Sequence, residues 1–520
     1  MPNEPISRRH LFRTSAAGAA AIAATQVISA SPPVLAGSTA SRRERRPTTD
    51  VFTLGVASGE PTPDGVVLWT RLAPDPLMGG GMPDRPVAVL WEIASDDRFR
   101  RVVRRGIELA RPELGHSVHV EVGGLRPGAW YWYRFRTMRD VSPAGRTRTA
   151  PAVGAPTDRL AFALTSCQAY TDGYFTAHRQ MAEEDLDLVV QVGDYIYEGA
   201  PNPASIRVHE GTGEPVTLEQ YRNRHAQYRG DADLQACHAA FPWLVVLDDH
   251  ESDNNWADEV PQDPALQPPD AFRARRAAAF QAYYEHMPLR RSSIPSGLDI
   301  QLFRRSTFGD LLDVHVLDTR QYRSDQDQTR RLDPSRTILG GEQERWLLAN
   351  LAGPTARWNA LAQQVFFSER EFTAGPAESY SDDAWDNYVP ERDGLRDHIA
   401  AVGTTNPVIL TGDVHASYVC DVKADFDDPA SETVATELVG SSITSGRDGV
   451  ENAPGDAVQY AENPHINYIN RRRGYVRNVV RPDTWTADYR VVEVVTVPGG
   501  PITTRASFVI EDGRSGAVPA

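Results

Sequence analysis

The sequence predicts an α/β fold preceded by an all-β sandwich, and two patterns in its 520 residues lead to that prediction. Short alternating strands separated by Pro/Gly turns fill residues 50–150, a spacing typical of a β-sandwich. From residue 158 onward, several apolar runs of strand length follow one another, and the first two enclose a helical pattern. We expect an N-terminal sandwich over 50–150 and a larger α/β domain over 158–512, joined by the Pro/Ala/Gly-rich stretch 150–157.

Composition indicates a globular enzyme of more than one domain. A chain of this length exceeds what one ordinary core supports. It is 41% hydrophobic with both charge signs well represented, and its formal net charge is -16. A negative surface repels phosphate backbones, so no stable nucleic-acid complex is expected unless one face is locally basic.

The first 36 residues are expected to be a removable export signal. Residues 7–12 read Ser-Arg-Arg-His-Leu-Phe, a twin-arginine signature, and an Ala-rich stretch follows over 16–24. Cleavage fits after Ala36 or after Ala30. The apolar run is too short to span a membrane. We therefore expect export in the folded state by the twin-arginine machinery to a secreted or periplasmic, cell-envelope location; the alternative is an accidental Arg-Arg before a surface helix.

Strands dominate the N-terminal region. Apolar or alternating runs occupy 52–57, 66–70, 87–93, 116–122 and 130–135. The Leu-Arg-Pro-Gly turn at 125–128 before an alternating Tyr strand resembles the tyrosine corner of fibronectin-type sandwiches. Trp130 and Trp132 either form a binding platform or pack on the core, and no catalytic cluster is found here.

The region from Leu160 to Gly199 holds the first chemical residues. Residues 160–166 and 186–192 are apolar runs, and a helix is expected to open at Asp172 and Gly173 between them. In such a β–α–β unit both strands end at the same sheet edge, where open α/β sheets bind ligands. Cys167 follows the first run, and Asp194 and Tyr197 follow the second. A thiol, a carboxylate and a phenol should therefore meet, and all three suit a metal ion when deprotonated.

Three further apolar runs end in polar motifs. These are Asp248-Asp249-His250-Glu251, Asp318-Thr319-Arg320 and Gly412-Asp413-Val414-His415. A lone Asp or His after a strand is usually a cap or turn residue. Ligand-type residues at successive strand ends indicate a metal site instead, because its ligands must converge from separate elements.

At these residues the sequence resembles the calcineurin-like metallophosphoesterases. Gly193-Asp194-x-x-Tyr197 and Gly412-Asp413-Val414-His415 are similar to the purple acid phosphatase pattern, but a Cys replaces the first Asp-x-His and an Asp replaces a His in the last motif. Both departures resemble the PhoD-type alkaline phosphatase and phosphodiesterase family, as do several longer stretches, Leu438 to Ser445 among them. The resemblance implies a metallophosphoesterase two-sheet sandwich flanked by helices, behind a fibronectin/Ig-like domain.

The resemblance also implies two kinds of metal ion. The implied ligands of one iron (Fe³⁺) are Cys167, Asp194, Tyr197 and His415. The implied ligands of one or two calcium ions (Ca²⁺) are Asp194, Asp249 and Asp413. Hard oxygen ligands suit calcium, whereas thiolate, phenolate and imidazole suit iron. Asp248, one position earlier, is the alternative to Asp249 as a ligand. A further ligand is expected from the strand that ends at Gln363 or Gln364.

The expected activity is hydrolysis of phosphate mono- and/or diesters by a metal-bound hydroxide. His250 is the candidate for protonating the leaving alkoxide, or else a residue that orients a ligand. Arg320 is expected to clamp a phosphate oxygen, or to pair with Asp318 and shape the turn. Asn254 is a weaker candidate for substrate binding.

Three alternatives remain open at this point. A phospholipase D-like phosphodiesterase would use the same site, and a surface binding protein would keep the fold without catalysis. The ligands would also tolerate two zinc ions, although Cys with Tyr favours iron. If Cys167 binds metal, Cys237 and Cys420 either pair or stay buried as small apolar residues.

Overall fold

Two mixed β-sheets that share one long strand form the centre of the fold. The computed structural model describes residues 50–520, so the predicted export signal, 1–36, lies outside the described residues. In chain order the strands are β1 (Val56–Thr62), β2 (Gly65–Arg71), β3 (Val87–Ala94), β4 (Val102–Ala110), β5 (Ser117–Val122), β6 (Trp130–Thr137), β7 (Asp140–Val141), β8 (Gly145–Arg148), β9 (Leu160–Thr165), β10 (Leu188–Val192), β11 (Pro242–Val246), β12 (Arg304–Phe308), β13 (Leu312–Val316), β14 (Trp358–Ala362), β15 (Pro407–Thr411), β16 (Ser417–Lys423), β17 (Thr433–Val439), β18 (Gly449–Val450), β19 (Ile466–Val480), β20 (Thr484–Val492), β21 (Ile502–Glu511) and β22 (Val518–Pro519). The α-helices are α1 (Thr176–Glu183), α2 (Leu218–Arg229), α3 (Ala232–Ala240), α4 (Pro269–His286), α5 (Gly340–Leu351), α6 (Val389–Val402) and α7 (Asp456–Glu462).

The first sheet runs in the order β5-β2-β1-β11-β10-β9-β19-β20-β21-β22, and the second in the order β12-β13-β14-β15-β17-β16-β19. Strand β19 belongs to both, because its first residues pair with β16 and its last with β9 and β20. The predicted α/β class and two-sheet sandwich are confirmed.

The two sheets face each other across an apolar core. Alternate residues of β15 show why: Val408 and Leu410 pack in the core shared with Phe162 of β9, whereas Ile409 packs with α5 and α6 on the outer face. This follows from the two-residue period of a strand, which sends successive side chains to opposite faces. The helices of the second sheet therefore cover one side and leave the other to the first sheet.

The predicted β–α–β unit is present, with a helix that begins later than expected. Strands β9 and β10 are parallel, and α1 lies between them. The helix begins at Thr176 rather than at Asp172 or Gly173, because the backbone N–H of Tyr174 donates to the carbonyl of Val495 at 2.7 Å. That bond ties the preceding residues to the C-terminal hairpin and delays the helical conformation.

The N-terminal region is β-rich, as predicted, and its strands divide between two sheets. Strands β3, β4, β6, β7 and β8 form a separate antiparallel sheet, whereas β1, β2 and β5 join the first large sheet through β11. The backbone N–H of Arg126 donates to the Tyr131 hydroxyl at 2.9 Å, which is the predicted tyrosine corner. Strand β4 has no counterpart among the predicted strands. The boundary between 150 and 158 stays a prediction.

Candidate metal centre

The predicted residues gather where parallel strands of both sheets end. Strands β9, β10 and β11 are parallel neighbours in the first sheet, and β13, β14 and β15 are parallel neighbours in the second. Each of these strands except β14 is followed by one of the predicted polar motifs. Because parallel strands end at one edge, the motifs are brought to that edge by topology alone.

Two overlapping groups of ligand atoms form at this edge. Atoms of Cys167, Asp194 and His415 lie within 4.8 Å of one another, and so do atoms of Asp194, Asp249 and His250. Asp194 belongs to both groups, which is the arrangement that a carboxylate bridging two metal ions requires. The structure thus groups Asp249, and not Asp248, with Asp194.

Tyr197 adds a phenol to the first group. Its hydroxyl donates to Oδ2 of Asp194 at 2.7 Å and lies 3.1 Å from Nε2 of His415. Asp413 is outside both groups of ligand atoms. Burial raises its pKa, the carboxylates of Asp383 and Asp249 raise it further, and Asp413 in turn raises the pKa of the Cys167 thiol. The carboxyl of Asp413 therefore lies close to both groups.

Four predicted ligands have left-handed backbone conformations. The φ angles are 57° at Cys167, 56° at Asp194, 60° at Asp413 and 53° at His415. Non-glycine residues seldom adopt such angles, and the exceptions cluster at functional sites. The shared conformation directs the side chains that follow the strands back toward the sheet edge.

Two glycines allow the strand ends to approach each other. A Cβ at Gly193, whose φ is +109°, would lie 2.3 Å from Cβ of Asp248. A Cβ at Gly412 would lie 2.7 Å from Oγ of Ser166, next to Cys167. The Gly-Asp order of both motifs therefore has a steric reason: each aspartate needs a glycine before it to come close to its neighbours.

The residues fit a bound cation. Oδ1 of Asp194 and Oδ2 of Asp248 are buried and have no hydrogen-bond partner among residues 50–520. Burial raises the pKa of the Cys167 thiol well above its ordinary value, and the carboxylates of Asp194 and Asp413 raise it further. Burial also raises the pKa of Asp194, and it raises that of Asp413 to about 7. A metal ion would reverse these shifts, since it stabilises the charged form of each ligand.

The imidazole of His415 is neutral, which is the form of histidine that binds metal ions. Burial and the nearby Arg473 lower the pKa of His415 to about 3, so the imidazole keeps a free lone pair. The guanidinium of Arg473 donates to the His415 carbonyl at 2.6 Å and to Oγ of Ser442 at 2.7 Å. These bonds fix the backbone of His415.

His250 belongs to the second group of ligand atoms and is partly exposed. Its Nδ1 lies 2.7 Å from Oε2 of Glu198, and its ring stacks on Tyr197 with centroids 4.1 Å apart. Burial lowers the pKa of His250, but the carboxylates of Glu198, Asp249 and Asp194 outweigh it and raise the pKa well above 6.5. The side chain remains 19% exposed, so a proton on this ring can reach the cleft outside.

Glu251 connects two of the strand ends and was not recognised from the sequence. Its buried carboxylate accepts hydrogen bonds from the backbone N–H groups of Asp194, Tyr195 and Asp248. Those residues follow β10 and β11, so one side chain sets the spacing between Asp194 and Asp249. In the sequence, only its place in the motif Asp248-Asp249-His250-Glu251 pointed to a role for Glu251 at the centre.

Ser445 is a second positioning residue that the sequence did not reveal. Its Oγ lies 2.7 Å from the Tyr197 hydroxyl and 2.8 Å from the Cys167 carbonyl, and it accepts from the N–H of Ala169. The resemblance over Leu438 to Ser445 marked the stretch without singling out this residue.

Arg320 is held by carboxylates and is not available to a substrate. The guanidinium is fully buried, donates from both terminal nitrogens to Asp383 at 2.6 and 2.7 Å, and donates from Nε to Asp248. It does not pair with the Asp318 carboxylate, which instead accepts from the backbone N–H of Arg320 at 2.9 Å. Since Nε and both terminal nitrogens of the guanidinium already donate to Asp248 and Asp383, neither predicted role of this side chain fits the geometry.

The structure also shows the surroundings of the two glutamines, the two other cysteines and Asn254. The amide nitrogen and oxygen of Gln363 and of Gln364 all have protein partners, so neither side chain is free to be the further ligand. Cys237 and Cys420 are buried free thiols and do not pair. The Asn254 side chain is partly exposed beside the centre, and its backbone N–H donates to Glu198 at 2.9 Å.

A cleft of 330 Å³ opens beside His250. It is lined by Thr171, Asp172, Tyr197, Glu198, Gly199, Ala200, Asn202, Ser205, His209, His250 and Arg447. Arg447 is exposed and forms no ion pair within the part of the chain that the structure describes. It also has a left-handed φ of 61°. The cleft therefore presents a guanidinium that no carboxylate of residues 50–520 neutralises.

Comparison with known proteins agrees with this geometry. The family model described as PhoD-like phosphatase matches residues 162–489, and that of the PhoD-like phosphatase N-terminal domain matches 37–151. The chain belongs to the PhoD-like phosphatase family. Alkaline phosphatase D of Bacillus subtilis (strain 168) is 52% identical over 480 residues, covering 89% of this chain and 82% of that protein.

A solved structure agrees as well. The chain described as "Structure of PhoD" superposes with a TM-score of 0.89 at 50% identity, covering 91% of this chain and 93% of that one. The predicted PhoD-type family and the predicted enzyme class, a phosphoric ester hydrolase, are therefore confirmed. None of the helices described between residues 50 and 520 is long and apolar enough to cross a bilayer.

Proposed function

We propose that this PhoD-like phosphatase hydrolyses phosphate mono- and/or diesters at a centre that binds iron (Fe³⁺) and calcium (Ca²⁺). The observation that carries the proposal is the pair of overlapping ligand groups that share Asp194. The iron ligands are Cys167, Asp194, Tyr197 and His415. The calcium ligands are Asp194, Asp249 and Asp413.

The chemistry of the side chains supports this division. Thiolate, phenolate and neutral imidazole are ligands that suit iron, and they lie on one side of Asp194. Carboxylates suit calcium; Asp249 belongs to the group of ligand atoms that lacks Cys167, and Asp413 lies close to both groups. When bound, the ions supply a water of lowered pKa as the nucleophile and a positive charge on the phosphate oxygens.

The chain itself supplies the proton for the leaving group. His250 holds a proton because Glu198 accepts from Nδ1, and that bond leaves Nε2 directed away from Glu198. Stacking on Tyr197 fixes the ring plane. In this geometry His250 protonates the departing alkoxide, which is general acid catalysis worth about 10²–10⁴-fold in rate.

The cleft supports binding of an anionic substrate of modest size. Arg447 contacts the phosphate or its anionic substituent, and Asn202 and Ser205 offer neutral hydrogen bonds. Asn254 remains a candidate beside the centre, whereas Arg320 acts as a structural cation that keeps Asp248 and Asp383 in place.

Replacement of Asp194 tests the proposal. We expect Asp194→Asn to lower kcat/KM by more than about 100-fold, since this carboxylate would hold both kinds of ion and each ion would contribute several kcal/mol of charge stabilisation. Initial rates on 4-nitrophenyl phosphate, bis(4-nitrophenyl) phosphate and phosphatidylcholine should be measured in parallel. Asp483→Asn, at an exposed position, is the matched control.

The outcomes separate the alternatives. Unchanged hydrolysis by Asp194→Asn would reject catalysis at this centre. Cleavage of phosphatidylcholine in preference to both soluble esters would favour the phospholipase D-like reaction. If the wild type hydrolyses none of the three esters, the result would favour a binding protein.

We also propose that the chain is exported in the folded state. The twin-arginine signature at 7–12 supports transport of the folded chain, and a cysteine-ligated metal site is compatible with that route. Replacement of Arg8 and Arg9 by lysine should retain the enzyme inside the cell, where activity in separated cell fractions would reveal it.

A further inference from the structure

The solvent-facing side of the separate N-terminal sheet carries a row of exposed apolar residues. The strand register places Ile107, Leu90, Arg136 and Val141 side by side across β4, β3, β6 and β7. Ile107 is 64% exposed, Leu90 49% and Val141 48%. Because the four positions are neighbours across hydrogen-bonded strands, the exposed apolar surface is continuous except at Arg136.

The apolar row extends to neighbouring positions. Leu109 lies opposite Ala88 one step along the strands and is 40% exposed, and Met138 in the β6–β7 turn is 75% exposed. A shallow hollow of 500 Å³ lies over Leu90, Trp91 and Ile107. Antiparallel sheets normally show polar side chains to water, and a contiguous apolar patch marks an interaction surface.

The stretch of chain that contains β3, β4, β6 and β7 is basic, whereas the whole chain is strongly acidic. Residues 87–141 contain ten arginines and seven carboxylates, a charge of +3, whereas the whole chain has a net charge of -16. Five of these arginines fall within 98–105 without any acidic residue between them. The positive charge is therefore concentrated around β4 and the turn that precedes it.

Two acidic residues of this sheet form ion pairs, whereas Asp140 on β7 forms none among residues 50–520. Glu92 pairs with Arg134 and with Arg136 at 3.3 Å, and Glu108 pairs with Arg291 at 2.6 Å. Within the described residues, no ion pair involves Arg98, Arg100, Arg101, Arg105 or Arg139. Their exposed guanidinium groups are free to meet an external anionic partner.

We propose that this face docks on an anionic phospholipid bilayer. The apolar row enters the boundary between headgroups and acyl chains, and the free arginines contact the anionic headgroups around it. A soluble polyanion would use the arginines alone and would leave Ile107 and Leu90 in water. The combination of both features therefore favours a lipid surface. The docking face contains none of the proposed metal ligands, and docking requires no membrane-spanning helix among residues 50–520.

Vesicle sedimentation of the exported, cleaved protein tests the proposal. The probes are vesicles of phosphatidylglycerol and phosphatidylcholine in equal parts, and vesicles of phosphatidylcholine alone. We expect binding to the anionic vesicles only, with a decrease as salt rises. The double variant Leu90→Ser, Ile107→Ser and the double variant Arg101→Gln, Arg105→Gln should each lose about tenfold in affinity.

Matched variants elsewhere on the surface serve as controls. Leu332→Ser replaces a side chain that is 64% exposed, as Ile107 is, and Arg514→Gln replaces an exposed arginine. Both should bind vesicles as the wild type does, and all variants should hydrolyse a soluble ester at the wild-type rate. Since the replaced side chains are exposed, a loss of binding with an unchanged melting temperature reports on the surface.

Three results would overturn the proposal. The first is a wild type that does not sediment with anionic vesicles. The second is equal loss of binding in the control variants. The third is full vesicle binding by the Leu90→Ser, Ile107→Ser variant together with binding to soluble polyphosphate, which would identify a polyanion site instead.

Discussion

Among single residues, four predicted ligands have a strained left-handed backbone that neighbouring residues must stabilise. They are Cys167, Asp194, Asp413 and His415. Each such residue costs about 1–3 kcal/mol, so the surrounding structure must hold it in place. Glu251 holds Asp194 through its backbone N–H, and Arg473 holds the carbonyl of His415. These hydrogen bonds hold the strained backbone in place and so fix the positions of the ligand atoms.

Glu251 is expected to act as a positioning residue. Glu251→Gln loses one acceptor for three backbone N–H groups, so we expect metal affinity to fall about 10–100-fold and stability to fall by about 1–3 kcal/mol. Metal content after dialysis against a chelator series and the melting temperature measure the two effects.

Glu391→Gln is the matched control for this variant. Glu391 is likewise buried, accepts from Thr337, Ile338 and Leu339, and has a pKa raised by burial to about 7, as Glu251 has. It lies on α6, and none of its hydrogen-bond partners is a proposed ligand. Equal loss of metal from both variants would mean that Glu251 contributes to stability alone.

At the scale of elements, α6 is joined to the start of α5 by the same Glu391. Its carboxylate receives the N–H groups of the residues just before α5, a position that favours negative charge. Sequence spacing predicted neither contact, because the two residues of each pair are more than fifty positions apart.

Stability should depend on pH because burial raises the pKa of Glu391 to about 7, although the hydrogen bonds from Ile338, Thr337 and Leu339 act to lower it. The folded pKa of about 7 exceeds the ordinary value of 4.5, so the folded state binds more protons between those values. Stability contributed by protonated Glu391 is therefore full below pH 4.5 and is lost as pH rises through 7. The melting temperature of the wild type minus that of Glu391→Gln should fall over this window; a difference that rises with pH would contradict the assignment.

At the scale of the whole molecule, the N-terminal strands and the large sheet form one continuous structure. Strand β1 pairs in parallel with β11. The indole N–H of Trp69 donates to the carbonyl of Glu285 at 3.0 Å, and His119 stacks on Tyr284 with centroids 4.3 Å apart. These buried contacts join residues 50–150 to α4 and β11.

We therefore expect a single cooperative unfolding transition for the exported, cleaved chain. Calorimetric and van't Hoff enthalpies should agree, as for a two-state unit. A separate transition carrying about 60–80 kcal/mol, the enthalpy of a 100-residue domain, would show that residues 50–150 unfold independently.

Much of this architecture could be predicted from the sequence because strand ends are visible as apolar runs followed by polar motifs. Cys167, Asp194 and His415 were expected to meet on that basis, and the structure brings them together. Side-chain partners across the two sheets were not predictable. Arg320 and Asp383 are 63 positions apart, and only the crossing of loops from different strands makes them neighbours.

Elemental analysis of the exported, cleaved protein decides whether iron and calcium bind at this centre. We expect about one iron per chain together with calcium, and a visible phenolate-to-iron absorption band that Tyr197→Phe abolishes and Asp483→Asn preserves. Zinc alone, or no metal that survives dialysis, would contradict the roles of Cys167 and Tyr197 and leave only Asp194, Asp249, Asp413 and His415 as ligands.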